Sequence, residues 1–382
     1  MNNKKKALKA AAFIAAVTMT AGISLPSQRG AISAPVLSAY AEETGTEVKS
    51  GALTYKKYSD HVEITLCDKS ATSVEIPASI DGVPVTVIGM YAFQISKIKS
   101  VTIPNTVKEI GHYAFNNCTD LTSVTIPDSV EKVGIRAFEY CKSLEKVEFP
   151  DHIIEWNTKV FEDTPWIAAQ REKSPLVIVN GALLDGDKCK GDVKLESDIK
   201  YIASGAFQRN MDITSVVVPA SVTVLRDNVF FYCTSLTSVE LNGVTEIGSM
   251  AFDGCNKLTD LKLSGKLKTI DDMAFPDTSS QATITFYGSK DTWEKVKKPT
   301  DDPFLKNAKM VFDESHVDPV DDLAGDVNMD GEFNVTDLLL FQKWLLGDTS
   351  AELKSWKAAD YTKDEKLDIF DLVLMRKAII SK

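Results

Sequence analysis

Apolar positions recur with a fixed period over residues 51–312, and the period is clearest at phenylalanine. The intervals between eight successive phenylalanines are 22, 23, 23, 46, 23, 22 and 23, where 46 is twice 23, and six of the eight follow an alanine. These residues are Phe93, Phe115, Phe138, Phe161, Phe207, Phe230, Phe252 and Phe275. A repeat of this length indicates a stack of similar structural units.

A short β-branched run precedes most of these phenylalanines. Such runs end at a proline about eleven residues before the phenylalanine, as residues 101–104 and 124–127 do. β-Branched residues favour strands and proline stops them. An Ile-Gly pair or a variant of it, such as Ile110-Gly111, lies between the run and the phenylalanine. One strand per unit at a fixed period predicts a mainly β solenoid in which stacked coils supply the core.

This combination of motifs resembles the BspA-like leucine-rich repeat family, whose unit pairs an Ile-Pro strand end with an Ile-Gly turn, an Ala-Phe pair and a Cys. The resemblance covers about 260 residues. It implies a leucine-rich-repeat solenoid with one short strand per 22–23-residue repeat. We therefore expect the recurrent Phe, Ile and Ala residues to form the core and not a ligand site.

Four of the six cysteines follow the same phase. Cys118, Cys141, Cys233 and Cys255 each lie three residues after a repeat phenylalanine. Neighbouring strands of a sheet are about 4.8 Å apart, so cysteines on adjacent coils approach disulfide distance and pairing stays open. A recurrent position is better explained by packing, because cysteine behaves as a small buried hydrophobe. We therefore expect free thiols.

The chain departs from the period in three places. The doubled interval between Phe161 and Phe207 contains apolar runs on both sides of Asn180-Gly181, which is the strongest short-range signal for a two-residue hairpin. We expect an atypical coil there. Strand-like patterns off the period at residues 55–84 and 284–312 predict caps for the two ends of the solenoid.

Apolar spacing changes to a helical pattern near the C-terminus. Leu338, Phe341 and Leu345 form one stripe, and Leu372, Met375 and Ile379 form another. Each stripe predicts an amphipathic helix. Each follows an acidic loop, and the two loops start at Asp326 and Asp360.

The two loops carry the ligand pattern of a calcium site. Oxygen side chains at loop positions 1, 3, 5, 9 and 12, with a backbone carbonyl at position 7, provide the hard oxygen ligands that calcium needs. The first loop offers Asp326, Asn328, Asp330, Glu332, Asn334 and Asp337, and the second offers Asp360, Thr362, Asp364, Lys366, Asp368 and Asp371. Glu332 and Lys366 contribute their carbonyl oxygens. The pattern predicts a small all-α module with two EF-hand-like calcium loops that binds two calcium ions.

The paired loops and helices of residues 325–382 resemble a dockerin, the calcium-dependent module that attaches secreted proteins to cohesin domains on a cellulosome scaffoldin. Both loops end in Asp, as is typical of dockerins. The second loop departs from the pattern, because Thr362 stands where Asn or Asp is usual and Glu365 where the tight turn favours Gly. Both changes weaken calcium binding, so we expect the second site to be the weaker.

The dockerin resemblance also implies a partner-binding surface. In the family, loop positions 10 and 11 and a pair of residues on the following helix face the cohesin. In this chain those positions are Val335, Thr336, Gln342, Lys343, Ile369, Phe370, Arg376 and Lys377. The apolar members predict a mixed hydrophobic and basic contact.

The N-terminus has the pattern of a secretory signal. Lysines precede an apolar run at residues 10–25, and small residues lead to an Ala-Tyr-Ala site that ends at Ala41. The run is shorter than the about 20 residues needed to span a bilayer. The expected domains are a signal peptide at 1–41, a solenoid with caps at 42–312, an acidic linker at 313–324 and the dockerin at 325–382.

Charge limits the classes of partner. Removal of residues 1–41, which contain five Lys and Arg and no acid, changes the formal net charge from −11 to about −16. An acidic protein has no electrostatic case for binding nucleic acid or an anionic membrane.

Two classes of function remain. We favour a secreted, non-catalytic cellulosome component at the cell surface, associated with polysaccharide degradation, whose solenoid binds a protein or a glycan. The alternative is a cellulosomal hydrolase of the O-glycosyl class, or a protease inhibitor, with a site in the solenoid. Glycoside hydrolysis needs two carboxylates about 5 to 10 Å apart, and the sequence singles out no such pair. It also contains no G-x-S-x-G, H-E-x-x-H or P-loop motif.

The outward strand positions form a candidate ligand face, because side chains alternate between the two faces of a strand. These polar residues are Ser100, Thr102, Ser123, Thr125, Lys146, Glu148, Ser238, Glu240 and Lys262. A solvated sheet surface is an equally good interpretation of the same pattern.

Overall fold

The computed structural model describes residues 46–152, 154–276, 282–316, 324–329, 332–362, 364 and 366–380. The chain divides into two units, Met1–Thr44 and Gly45–Lys382, and all described residues belong to the second. The expected signal peptide lies outside the described residues, and so do residues 317–323 of the expected linker. Among the described residues, no helix combines the length and apolar character needed to cross a membrane.

The first part of the described chain consists of short strands. Their bounds are β1 (Thr46–Ser50), β2 (Leu53–Lys57), β3 (Val62–Cys67), β4 (Ser73–Glu75), β5 (Ser79–Ile80), β6 (Val83–Ile88), β7 (Ser100–Thr102), β8 (Glu109–Ile110), β9 (Ser123–Thr125), β10 (Lys132–Val133), β11 (Lys146–Glu148) and β12 (Glu155–Trp156).

A helix, α1 (Pro165–Lys173), separates these strands from the next set. That set comprises β13 (Val177–Val179), β14 (Ala182–Asp185), β15 (Gly191–Lys194), β16 (Tyr201–Ile202), β17 (Ile213–Val218), β18 (Val224–Leu225), β19 (Ser238–Leu241), β20 (Glu246–Ile247), β21 (Asp260–Leu263), β22 (Thr269–Ile270), β23 (Thr283–Phe286) and β24 (Lys309–Phe312). Helices α2 (Lys290–Lys295) and α3 (Pro303–Asn307) lie between β23 and β24.

Most repeats contribute one strand to each of two sets of parallel stacks. Longer strands pair in register, as in the order β15-β17-β19-β21-β23-β24. Two-residue strands pair separately, with Ile110 opposite Val133 and Val133 opposite Trp156. The leucine-rich-repeat solenoid is confirmed, and each such repeat adds a two-residue strand at the Ile-Gly position to the one strand expected. A Cβ on Gly111 would lie 2.8 Å from backbone atoms of the preceding coil, so this close approach requires glycine.

The repeat phenylalanines form two stacks of rings inside the solenoid. Ring centroids are 4.7 Å apart for Phe93 and Phe115, and spacings of 5.0 and 5.5 Å continue that stack to Phe161. The second stack starts at Phe207 with spacings of 5.2, 5.4 and 5.6 Å. Phe304 of α3 extends it by a further 5.0 Å. The eight repeat rings are at most 4% exposed, which confirms their core role.

The in-phase cysteines pack in the core and also donate hydrogen bonds. Each thiol donates to the carbonyl of a phenylalanine in the preceding coil, as Cys118 does to Phe93 at 3.0 Å and Cys233 to Phe207 at 3.0 Å. All six cysteines are buried free thiols in the structure. Burial raises the pKa of Cys255 well above its usual value, which keeps that thiol protonated. The recurrent position therefore satisfies a buried carbonyl as well as filling space.

The doubled interval is an atypical coil that contains a hairpin. β13 and β14 pair antiparallel around Asn180 and Gly181, which have φ of 49° and 78°. Two consecutive left-handed residues are what a type I′ turn requires, so the hairpin prediction is confirmed. Helix α1 was not predicted. It begins after Thr164, whose hydroxyl accepts a hydrogen bond from the Ile167 N–H at 3.2 Å.

The C-terminal region is helical and has its own core. Its helices are α4 (Val335–Leu345), α5 (Trp356–Ala359) and α6 (Ile369–Ile380). Helices α4 and α6 bury Phe341 and Met375, with Leu338, Leu345, Leu372 and Ile379 packed at the margin of this cluster. Both expected apolar stripes therefore face the same small core.

Candidate calcium loops and partner surface

The first acidic loop is closed by Asp337, whose side chain is fully buried. Its Oδ1 accepts a hydrogen bond from the Asn328 N–H at 3.3 Å, and its Oδ2 accepts one from the Asn334 N–H at 2.9 Å. Asp326, at the first loop position, is also buried. Asp330 lies outside the described residues. The carboxylate at position 12 therefore connects the start of the loop to the first turn of α4.

The second loop is closed in the same way by Asp371. Its Oδ1 accepts hydrogen bonds at 2.9 Å from both the N–H and the hydroxyl of Thr362, and its Oδ2 accepts one at 2.9 Å from the Asp368 N–H. The Asp364 N–H donates to Asp360 Oδ1 at 3.1 Å. Glu365, the expected weak point of this loop, lies outside the described residues.

The two loops are structural equivalents under the internal duplication. The bond from Asn328 to Asp337 corresponds to the bond from Thr362 to Asp371, and both closing carboxylates accept from position 9 at 2.9 Å. Asn334 and its counterpart Asp368 each accept from the backbone N–H two residues later at 2.7 Å. The sequence duplication is therefore also a duplication of geometry.

Asp371 provides a test of whether a cation fits. Burial raises its pKa, but hydrogen bonds from Asp368 and Thr362 outweigh burial and hold the pKa below its usual value. The carboxylate is therefore ionised at neutral pH. It is fully buried, and among the described residues no Lys, Arg or His forms an ion pair with it. A buried anion of this kind needs a positive partner, and the oxygen-rich loop around it suits a hard divalent cation.

The expected partner-binding residues all lie on exposed surface. Val335, Ile369 and Phe370 are 54%, 57% and 68% exposed, although they are large and apolar. The polar and basic members, Thr336, Gln342, Lys343, Arg376 and Lys377, are exposed as well. The structure thus places each half of this set on the outer face of one helix.

Four further exposed apolar residues extend both faces. Leu339 and Val373 are 52% and 56% exposed, and Leu346 and Ile380 are 79% and 74% exposed. Leu339 and Leu346 follow Val335 by four and eleven residues, which are helical spacings. Val373 and Ile380 follow Ile369 by the same numbers of residues. These four residues were not predicted from the sequence as part of the partner-binding surface. The signal was available, because both members of each pair are apolar and occupy equivalent positions in the duplicated segment.

On the candidate ligand face of the solenoid, outward side chains of adjacent strands form hydrogen bonds with each other; this face is called laterally paired below. Thr125 donates to Glu148 at 2.8 Å, and Lys262 donates to Glu240 at 3.1 Å across adjacent strands. Ser238 donates to Asp260 at 3.0 Å. The outward residues therefore satisfy one another, as in a solvated sheet surface.

One compact cluster of carboxylates lies beside α1. The carboxylate oxygens of Glu162, Asp185 and Asp187 lie within 4.8 Å of one another, the only group of this kind in the described part of the chain. Arg171 forms ion pairs with all three, and Lys159 forms ion pairs with Glu162 and Asp187. These two cations occupy the space that a metal ion would need, so the cluster is an ion-pair network.

Family models match both parts of the chain. One described as a BspA type leucine rich repeat region matches six copies over residues 66–171 and 188–295. One described as a dockerin type I domain matches residues 324–380. Both resemblances inferred from the sequence are thereby confirmed. A search of curated proteins gives no match.

Solved structures of leucine-rich repeat proteins are similar to the chain. A leucine rich repeat protein from T. pallidum is 27% identical over 56% of this chain and 91% of its own, with a TM-score of 0.32. A leucine rich cell surface protein from Faecalibacterium prausnitzii is 22% identical over 67% of this chain and 99% of its own, with a TM-score of 0.32. The pneumococcal vaccine antigen PcpA is 14% identical over 72% of this chain and 100% of its own, with a TM-score of 0.29.

Proposed function

Because the chain belongs to the BspA-type leucine-rich repeat family and ends in a type I dockerin domain, we propose that it is a secreted, non-catalytic component that docks onto a cohesin. A dockerin indicates an extracellular, cellulosome-associated protein, and both domain families are non-catalytic. The proposal includes a signal peptide at 1–41, a solenoid at 42–312 that binds a protein or glycan, a linker at 313–324 and a dockerin at 325–382. Attachment to the cell surface and a link to polysaccharide degradation belong to the same proposal.

Docking depends on two calcium ions in this proposal. The first is held by Asp326, Asn328, Asp330, Asn334, Asp337 and the carbonyl of Glu332, and the second by Asp360, Thr362, Asp364, Asp368, Asp371 and the carbonyl of Lys366. Type I dockerins generally bind calcium. The ion supplies the positive charge that lets buried carboxylates stay ionised together. The closing residues Asp337 and Asp371 then fix the first turns of α4 and α6, and so orient the outer helix faces.

The observation that carries the proposal is the duplicated apolar and basic face. One face comprises Val335, Thr336, Leu339, Gln342 and Lys343, and the other comprises Ile369, Phe370, Val373, Arg376 and Lys377, each residue 34 positions after its counterpart. Large apolar side chains exposed in repeated positions are typical of an interaction surface. Because the faces are related by the internal duplication, a single cohesin can bind either one in opposite orientations.

The two faces differ most at Thr336 and Phe370. Phe370 is 68% exposed in the free chain, so its ring is available for burial. Burial of the phenyl ring in place of a threonine methyl favours the second face by on the order of 1 to 2 kcal/mol at about 25 cal/mol per Å². That difference corresponds to a preference of about tenfold for the second face.

Two matched pairs of substitutions test this function. Phe370→Ala with Arg376→Ala removes the main contacts of the second face, and Thr336→Ala with Lys343→Ala removes those of the first. In titrations of the full chain with cohesins from the same source, the first pair should weaken binding about tenfold and the second pair only slightly. If all four changes together leave affinity unaltered, the surface is misassigned. Failure of every cohesin to bind the calcium-loaded chain would remove the docking role.

The tight carboxylate cluster of Glu162, Asp185 and Asp187 gives the hydrolase alternative no free acid and base, because Arg171 and Lys159 neutralise it. Incubation of the protein with plant polysaccharides should release no sugar, and release would favour the hydrolase.

A further inference from the structure

A polar groove of about 220 Å³ crosses the two-residue strands of the second half of the solenoid. It lies on a different set of strands from the laterally paired ligand face described above. The groove is distinct from a second cavity of about 20 Å³ beside Trp156 and Asp185, which has room for about one water. Of these two, only the larger has room for a ligand.

The groove forms where the stack of two-residue strands is interrupted. β12 ends one sheet, while β16 and β18 belong to two others. In place of a strand partner, the Tyr201 hydroxyl accepts a hydrogen bond from the Trp156 N–H at 2.9 Å and donates one to the Trp156 carbonyl at 3.2 Å. The Ser204 N–H also donates to the Trp156 carbonyl at 3.3 Å, so one side chain and one backbone bond join two coils that paired strands join elsewhere.

Two rows of residues line the groove across three paired strands. Val224, Glu246 and Thr269 are in register, and residues two positions further along each strand give a second row of Arg226, Gly248 and Asp271. Gly248 lies between the other two members of its row and carries no side chain. A Cβ at this position would lie 2.5 Å from Asp227 Oδ1 and 2.8 Å from the Asp227 backbone nitrogen, so Asp227 of the preceding coil already fills that space and the position requires glycine.

Arg226 is held in the groove by a ring and not by an acid. Its guanidinium carbon lies 4.6 Å from the centroid of the Tyr201 ring. Four carboxylates line the same groove, at Glu155, Asp227, Glu246 and Asp271. Within the described part of the chain, none of them forms an ion pair with Arg226. The groove therefore presents an unpaired planar donor and several acceptors at once.

This arrangement discriminates between classes of ligand. A cation would meet the guanidinium, and an anion would meet four carboxylates. A protein partner usually buries aromatic or aliphatic anchors at the centre of its interface, yet Val224 is the one partly exposed aliphatic residue here. A neutral polyhydroxyl ligand fits, because each hydroxyl both donates and accepts.

We propose that this groove is a binding site for a neutral oligosaccharide. Arg226 and Asn157 donate to sugar hydroxyls, while Glu246 and Asp271 accept from them. Strand rows recur about every 4.8 Å, so a linear chain lying across the strands meets donors and acceptors at successive sugars. This inference deepens the proposed function by naming the solenoid's ligand class, and it is independent of cohesin binding.

The test uses the full chain with cello-, xylo- and manno-hexaose as probes in isothermal titration calorimetry. Glu246→Ala with Asp271→Ala removes two exposed acceptors that take part in no hydrogen bond among the described residues, so the fold should persist. Glu240→Ala with Lys262→Ala, on the laterally paired face, is the matched control. At least one hexaose should bind saturably, the groove variant should lose about tenfold in affinity, and the control should bind as the parent does.

Three outcomes would overturn the site. They are no saturable binding of any hexaose, binding that survives the groove variant, and tighter binding of hexalysine or polygalacturonate than of the neutral sugars. Cohesin titration of the same samples separates the two proposals. A chain that binds cohesin but no hexaose loses only the groove, whereas one that binds hexaose but no cohesin loses only the docking role.

Discussion

Arg171→Ala should destabilise the solenoid more than any exposed charge substitution, because Arg171 holds three acids together. Its guanidinium donates to Asp185 at 2.9 Å through Nε, and to Glu162 and Asp187 at 2.9 Å through Nη2. The arginine side chain is 12% exposed. The side chains of Glu162, Asp185 and Asp187 are 21%, 9% and 24% exposed, respectively. Breaking a buried ion pair costs about 3–5 kcal/mol. We expect about 3 kcal/mol, since two of the acids keep some contact with water.

The loss should depend on pH in a defined direction. Burial and the nearby Asp185 already raise the pKa of Asp187, while Lys159 and Arg171 lower it. Removal of Arg171 should therefore raise the pKa of Asp187 further in the folded state. A folded-state pKa above the unfolded value near 4 means that folding takes up protons. The destabilisation is then full at pH 7 and should shrink as the pH falls through the raised pKa toward about 4.

Urea unfolding followed by tryptophan fluorescence measures the effect, because Trp156 and Trp166 are buried in this part of the solenoid. Asp187→Asn should restore part of the stability in the Arg171→Ala background by removing one repelling charge. Lys108→Ala is the matched control, since Lys108 pairs with Glu131 at 2.8 Å but is 52% exposed, and exposed pairs contribute about 0–1 kcal/mol. A loss below about 1 kcal/mol, or one equal at pH 7 and pH 5, would refute the electrostatic account.

Calcium binding gives the remaining predictions. Calorimetry on the full chain should resolve two calcium affinities, because the second loop has Thr362 and Glu365 where Asn or Asp and Gly are usual. Asp326→Ala should remove the tighter site and Asp360→Ala the weaker one. Two sites of equal affinity would contradict this. EDTA should remove the dockerin's share of the helical signal in circular dichroism and leave the β signal and the helical signal of α1 to α3, because the solenoid core is a continuous apolar stack whereas the dockerin is a small domain with closely spaced acids. Loss of both signals together would show that the domains do not fold independently.

The solenoid could be predicted from the sequence because every coil must bury the same side chains at the same positions. Phe115 stacks on Phe93 and on Phe138 at similar distances, so each ring must occur at the same phase and the period is visible. Helix α1 could not be predicted in this way. It occurs once in place of a repeat unit and buries only Trp166 and Ile167, so its short sequence shows no helical periodicity.

The turns around each phenylalanine were not predictable from residue type. Tyr91 and Ile95 both have φ of 61°, a region that side chains of this size rarely adopt. Hydrogen bonds to the next coil compensate, since the N–H groups of Tyr91, Phe93 and Ile95 donate to its carbonyls at 3.1, 2.7 and 3.0 Å. Local propensity would have placed glycine or asparagine there. The stacked neighbour, which is distant in sequence, decides the conformation.

The calcium loops show the opposite balance. Ligand chemistry constrains residue type and spacing within one short segment, so Asp337 and Asp371 could be proposed as closing ligands from the sequence alone. Leu339 and Val373 could not be assigned so easily, because an apolar residue on a short helix serves a core or a partner face equally well. Their exposure of 52% and 56% shows that neither side chain belongs to the core. Periodicity identifies apolar faces, but only packing shows which of them remains uncovered.

The groove lies beyond the reach of repeat analysis for a related reason. A repeat pattern reveals only the residues that all coils have in common, and these are the buried core residues. A surface that differs from the rest of a solenoid arises where one coil differs from its neighbours, as where Tyr201 bridges the interrupted strands and Arg226 lies in the same groove as Asp271. No single residue type among them indicates a site. Their placement on adjacent coils puts the Arg226 guanidinium in the same groove as carboxylates with which it forms no ion pair. The search for function in such a chain should therefore begin at the departures from its period.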